Sequence, residues 1–325
     1  MKKKSCLIIG GAGYIGSVLL DLINDQFNIT VFDNFLFSNI REYKRKYKHI
    51  KFIKGDINND IKNIHFKGKN LVIHLAGLAN DPSSDFNPNN TVLTNHISTI
   101  KIANLSKINK VKKFIYASSC SVYGDHGKKM INEKTIERPL TVYALSKYSS
   151  EKEILKLSNK NFNVISLRFA TLFGLSPRMR FDLGVNAMTK NVIQKKNIIV
   201  NGDGKQYRSF VHVKDVAKSI IFFSTTKQNF KSNIFNIGTK KNNIMIINLA
   251  KLFKKNFKNI IIKKNFKNFD FRSYEVNFNR LSSVLNNKKF ISLSEGIMEI
   301  YNFYKNKNIN LDKKNYYNLK IVQSQ

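Results

Sequence analysis

"CLIIGGAGYIG", residues 6–16, decides how this chain is read. Cys6–Ile9 is an apolar run of strand length, and Gly10, Gly13 and Gly16 follow at three-residue intervals. The apolar spacing then turns helical over 14–24. Glycine permits the tight turn and lets backbone come close to a ligand, while the N–H groups opening the helix face an anion. Strand, glycine turn and helix in this order form a cradle for a diphosphate. Asp33 closes the next β-branched run, "NITVFD" (28–33), twenty residues beyond Gly13. A carboxylate there accepts bonds from adenosine ribose hydroxyls and repels a 2′-phosphate, so the two signals together predict NAD rather than NADP.

Further strands follow at "KFIKGD" (51–56), "NLVIHLAG" (70–77), "KKFIYASS" (112–119) and "NVISLRF" (163–169). Helical spacing over 91–109 and 143–158 lies between them. Such alternation requires right-handed crossovers and a doubly wound parallel sheet covered on both faces, an α/β architecture of the Rossmann type. Beyond residue 172 the pattern loosens. "GLSPRMRFDLG" (174–184) reads as a loop, with helices expected near 184–196, 244–255 and 293–305. The expected division is a dinucleotide-binding core over 1–172, rejoined by 206–239. Residues 173–205 and 240–325 form a smaller C-terminal substrate-binding subdomain.

Composition narrows the function. The 325 residues include two cysteines, Cys6 and Cys120, with no CxxC or Cys/His grouping. No disulfide framework and no metal are expected, and a reducing compartment is. "MKKKSCLIIGG" imitates a secretory leader, but its apolar run is short and broken by glycines. No stretch reaches the roughly 18 apolar residues of a membrane span. The expectation is a cytoplasmic protein without a membrane partner. A net charge of +35 raises nucleic acid as a partner. The lysines run along the whole chain, densest at 44–48 and 251–269, and read as solvated faces, so no nucleic-acid partner is expected.

"TVYALSK" (141–147) sets Tyr143 and Lys147 one helical turn apart, on the same face. The pair follows "FIYASSCSVYG" (114–124), a strand ending in serines, where a parallel sheet presents its carboxyl-end crevice. Oxidising a carbinol with NAD requires a base for the hydroxyl proton. Bringing a tyrosine from about 10 to about 7 takes roughly 4 kcal/mol, which an ammonium about 4 Å away can supply. Lys147 is therefore expected to lower Tyr143. Ser119 is placed to bond the reacting oxygen, with Ser118 as the alternative.

The glycine spacing, "GDI" (55–57), "HLAG" (74–77), Asn95 and the Tyr143/Lys147 pair together resemble the extended short-chain dehydrogenase/reductases. Within them the chain is most similar to the NAD-dependent epimerase/dehydratase family and its nucleotide-sugar 4-epimerases. The resemblance implies that Gly10, Gly13, Tyr14, Ile15, Gly16, Asp33 and Asn34 hold the cofactor. It adds Asp56 and Ile57 at the adenine, Leu75, Ala76, Gly77 and Phe169 along it, and Asn95 as support. Lys147 also binds the nicotinamide ribose, and Tyr143 and Ser119 meet the sugar. "NGDGKQYRSFVHVKDV" (201–216) and "FRSYEVN" (271–277) imply Arg208 and Arg272 as diphosphate clamps, with Arg178, Arg180 and Asn186 as further substrate contacts. A homodimer through the helices at 91–109 and 143–158 is implied too.

There are departures from that pattern. Ala79 stands where a lysine is common, Ala170 and Thr171 where an asparagine is usual, and Asn277 where an aspartate is. Cys120 and Ser121 replace the Asp-Glu pair of 4,6-dehydratases, so water elimination is not expected. The leading expectation is oxidation of a nucleotide sugar at C4 with return of hydride, a UDP-glucose 4-epimerase-like reaction. A 4-dehydrogenase or 4-keto reductase, for example on a GDP-heptose or deoxysugar, is the alternative. A non-catalytic NAD sensor or nucleic-acid binder is the competing class.

Overall fold

The computed structural model describes residues 3–23, 26–127, 129–195, 197–228, 230–266, 272–286 and 288–324. Seven strands form one parallel sheet: β1 (Lys4–Ile9), β2 (Phe27–Asp33), β3 (Lys51–Lys54), β4 (Leu71–His74), β5 (Lys113–Ser119), β6 (Asn163–Phe169) and β7 (Ile234–Ile237). Their spatial order is β7-β6-β5-β4-β1-β2-β3, with parallel register throughout. The order reverses between β1 and β4, which opens a crevice at their carboxyl ends.

Cys6, Leu7, Ile8 and Ile9 are all fully buried, because both faces of the sheet are covered. Alternate residues feed two separate cores. Cys6, Ile8 and Ile73 meet Val18 and Leu19 of α1 (Tyr14–Ile23) and Val216 and Ile220 of a later helix, Val213–Thr225. Leu7, Ile9 and Val72 meet Ile102 of α2 (Ser98–Ile108) and Ile154 of α3 (Val142–Lys156). The helix expected over 91–109 is interrupted. Pro88–Val92 is α-helical, Leu93–Ile97 is wound more widely as a π turn, and α2 then begins. That wider turn carries the fully buried Asn95.

A second body continues from β6. Tyr207–His212 pairs with Thr171–Phe173 and Asn243–Met245 in a three-stranded sheet, and Asn197–Asn201 pairs with Ile261–Asn265. Gly184–Lys195 (α4), Ile246–Asn256 (α6) and Leu293–Tyr304 (α7) enclose a third core around Phe173, Val200, Phe253 and Ile297. Residues 207–212, expected with the dinucleotide-binding core, therefore lie in the small sheet. The chain rejoins the main sheet through Val213–Thr225 (α5), packed on α1, and β7.

A buried charge network fastens α3 to the sheet. Arg168 of β6 is fully buried, and its Nε donates to both Glu151 oxygens at 3.0 and 3.1 Å. Its Nη2 donates to Glu151 and Glu137, and the guanidinium lies 4.8 Å from the Tyr123 ring centroid. Ser166 Oγ adds a bond to Glu151 at 2.6 Å.

His74 ends β4, fully buried, with Nε2 2.9 Å from Thr99 Oγ1. Burial, with Lys147 as a smaller cause, lowers its pKa to about 3. Between that value and the ordinary 6.5 the unfolded chain binds a proton that the folded chain refuses. Its stabilising share is thus complete above pH ~6.5 and declines by about 1.4 kcal/mol per pH unit on acidification. Urea unfolding between pH 7 and pH 4 should show that slope, and His74→Leu should flatten it. An unchanged slope in the variant would contradict the assignment.

Candidate active site

The glycine turn between β1 and α1 forms the floor of a cleft of about 610 Å³. Gly10 has φ +83°, and a Cβ there would lie 2.4 Å from Ala76 N. A Cβ on Gly16 would lie 2.5 Å from Gly11 O, whereas one on Gly13 would meet only Gly10 O, at 3.4 Å. Gly10 and Gly16 thus let the turn close, and Gly13 keeps its outer face open. Tyr14 and Ile15 also line this cleft, with Leu75, Gly77 and Phe169.

A smaller cavity of about 130 Å³ adjoins it, bounded by Asp33, Asn34, Asp56, Ile57 and Ala76. Asp33 accepts from Ala12 N at 2.9 Å and Phe35 N at 2.7 Å. Burial raises its pKa, and those two N–H groups oppose the rise. Asn95 lines neither cavity. Its amide bonds Leu78 N at 2.8 Å and Leu78 O at 2.9 Å, which fixes the loop after β4. A diphosphate cradle where side chains are excluded, continuous with a carboxylate-edged pocket, fits NAD.

The sheet's carboxyl end brings Ser119, Tyr143 and Lys147 into the same cleft. Thr141 caps α3, its side chain accepting from Ala144 N at 3.1 Å, so Tyr143 sits in the first turn. Lys147 is 5 % exposed, and its Nζ donates to Ala117 O at 2.9 Å above the Tyr116 ring. Burial lowers Lys147 to about 8. The expectation for Tyr143 requires correction: burial pushes the phenol up to about 12. A hydrogen bond with Ser119 and the charge of Arg180 pull it down, and Asp81 pushes it further up. Ser118 and Ser121 also line the cleft, with buried hydroxyls that have no hydrogen-bond partner among the described residues.

Opposite the glycine turn the cleft is lined by charge. Arg208 donates to Tyr207 O at 2.7 Å and to Arg272 O, and its guanidinium lies 5.5 Å from the Tyr274 ring centroid. Arg272 is paired with Asp81 at 2.7 Å, and Asp81 also accepts from Thr141 Oγ1 at 2.7 Å. Phe271 of the same motif lies outside the described residues. Arg180 forms a two-pronged pair with Asp182 at 3.0 and 2.7 Å. Asn186 does not reach the cleft. It is fully buried, and its amide bonds Gly174 N, Tyr14 Oη and Arg180 O.

Residues 6–238 match the model of the NAD dependent epimerase/dehydratase family. The chain belongs to that family. Among its members, a putative UDP-glucose 4-epimerase of Methanocaldococcus jannaschii is 31% identical over 93% of this chain and 99% of its own. A UDP-glucuronate 4-epimerase of Thermodesulfobacterium geofontis is 28% identical over 94% of this chain and 98% of its own. A solved UDP-glucuronic acid 4-epimerase from Bacillus cereus, in complex with UDP-glucuronic acid and NAD, superposes with a TM-score of 0.80. It is 26% identical and covers 92% of this chain and 98% of its own.

Several cleft residues of this family member escaped the sequence reading. Asp81 follows Asn80, whose φ of 111° sets the turn into a short helix, and only the "NDP" turn signal marked the spot. Asp182 stood in a quoted motif without a role. Asn318 had no signal at all, since it arrives from the far end of the chain.

Proposed function

We propose that this protein is an NAD-dependent nucleotide-sugar enzyme that acts at C4, a 4-epimerase on a UDP-sugar. The observation that carries the reading is the convergence of Ser119, Tyr143 and Lys147 on the cleft that begins at the glycine turn. Gly10, Gly13, Tyr14, Ile15 and Gly16 hold the dinucleotide's diphosphate, and Asp33, Asn34, Asp56 and Ile57 its adenosine. Leu75, Ala76, Gly77 and Phe169 line its path, while Asn95 braces the loop from behind. NAD supplies the acceptor and donor of the C4 hydride and a positive ring beside the phenol.

Tyr143 takes the C4 hydroxyl proton and returns it after the sugar presents its other face. Ser119 bonds the same oxygen and keeps it aimed at the phenol. Lys147, fixed by Ala117 O and close beside Gly77, holds the ribose of the nicotinamide half. Arg208 and Arg272 flank the far end of the cleft, where the substrate diphosphate binds. The curated relatives and the Bacillus cereus structure support the UDP assignment by what they are named for.

The chain works as a cytoplasmic homodimer, without nucleic-acid or membrane partners. Among the described residues no helix is long and apolar enough to cross a membrane. Phe86, Val92, Leu93 and Ile97, together with Leu145 of α3, are exposed on helices that pack side by side. A second copy would cover that apolar face.

The test is incubation with a panel of UDP-, GDP-, CDP- and dTDP-sugars, read by proton NMR and absorbance at 340 nm. A pair of C4 epimers from a UDP-sugar, without net NADH, is expected, and light scattering should give twice the chain mass. Steady NADH production would replace the epimerase with a 4-dehydrogenase. No turnover of any sugar would overturn the reading.

A further inference from the structure

Asn318 joins two loops that approach the glycine turn from different sides. Its Oδ1 accepts from Arg178 Nη2 at 2.6 Å, and its Nδ2 donates to Ala79 O at 2.9 Å. Asn318 is buried within a C-terminal strap, 311–322, that is anchored along its length. Leu311 and Ile321 are buried, Tyr316 O accepts from Phe181 N at 3.0 Å, and Lys190 Nζ reaches Tyr317 Oη at 2.7 Å.

Arg178 lies at the cofactor end of the cleft. The loop that carries it is fastened to the start of α1 by Ser176 Oγ to Tyr14 O at 2.8 Å and Tyr14 Oη to Gly174 O at 2.6 Å. The guanidinium stacks 4.2 Å from the centroid of Phe37, in the loop that follows Asp33. Arg178 is 5 % exposed, and its Nε is buried without a hydrogen-bond partner among the described residues. Burial lowers its pKa to about 9. A guanidinium has five N–H donors, and this one is hydrogen-bonded by a neutral amide and by no carboxylate among the described residues. A buried cation with donors to spare, beside the open face of a diphosphate cradle, is arranged for an anion.

We propose that Arg178, positioned by Asn318, grips the diphosphate of the dinucleotide, so that the C-terminal strap completes the cofactor site. This moves Arg178 from the substrate, where the sequence reading placed it, to the cofactor. It rests on the NAD reading of the glycine turn and not on the sugar reaction. A nucleotide sugar carries the same diphosphate chemistry, so the test separates the two sources.

Full-length Arg178→Met, Asn318→Ala and Asn318→Asp are compared with the parent. NAD released per chain by acid is measured after gel filtration. NAD and UDP affinities of charcoal-stripped protein are measured by calorimetry, and thermal midpoints check the fold. Arg178→Met should weaken NAD roughly 10- to 100-fold and leave UDP within about twofold. Asn318→Asp should weaken NAD more than Asn318→Ala, because a carboxylate there neutralises the guanidinium. A purely bracing role gives the opposite order, aspartate being the stronger acceptor for arginine. Unchanged NAD affinity in Arg178→Met, or a loss that falls on UDP instead, overturns the proposal. Should Arg178→Met fail to fold, Arg178→Lys and the order of the two Asn318 variants decide it. Absence of sugar turnover leaves every one of these readouts intact.

Discussion

Tyr143→Phe is expected to lower kcat by about 10²- to 10⁴-fold, the range for loss of a positioned general acid–base. The substitution removes one oxygen from a half-buried ring and keeps its volume, so the thermal midpoint and the NAD carried per chain should stay near those of the parent. The phenol stands at about 12 in the protein itself, so at neutral pH it carries its proton. Its work as a base depends on positive charge brought beside it, with Ser119 and Arg180 already acting in that direction. The pH–rate profile of the parent should therefore have a basic group titrating well below 12, and Tyr143→Phe should erase that limb. Turnover in Tyr143→Phe within tenfold of the parent would remove the tyrosine from the reaction.

The largest stability effect is expected at Arg168. Arg168→Met leaves Glu151 buried without its counter-charge, and breaking such a pair costs about 3–5 kcal/mol. For a chain of this size that lowers the midpoint by on the order of 4–7 °C. Adding Glu151→Leu removes the stranded carboxylate and should recover most of the loss, as exchanging whole buried pairs for apolar packing does. Glu151 follows Lys147 by four residues and Tyr143 by eight, so all three share one face of α3. A loosened α3 should then also misplace the ammonium at Ala117 O. Arg168→Met is expected to lose activity even at temperatures where it is folded. If the single and double variants unfold at the parent's midpoint, the network carries no stability.

The parallel sheet was legible because its strands are buried on both faces, and continuous apolar runs such as Cys6–Ile9 leave no other reading. The glycine turn, Asp33 and the Tyr143/Lys147 spacing were legible for a related reason: backbone geometry and helix periodicity fix them locally. What escaped depends on contacts between distant segments. No periodicity reveals that residues 93–97 widen into a π turn or that Asn318 returns to Ala79. Asn186 was misplaced because position within a motif does not say which way an amide points. The acidity of Tyr143 was misjudged because spacing on a helix gives proximity to Lys147, whereas the desolvation that raises the phenol is set by the elements packed around it.

Strand β7 reaches the main sheet only after the chain has left it for the three-stranded sheet and come back. A nascent chain that has emerged as far as residue 172 holds six of the seven strands and a bare β6 edge, with its amides and carbonyls open to any neighbouring chain. Closing that edge waits on some sixty more residues of synthesis, a long-range pairing of the kind that folds late. Exposure on the ribosome, more than the finished molecule, is where this protein is most liable to aggregate.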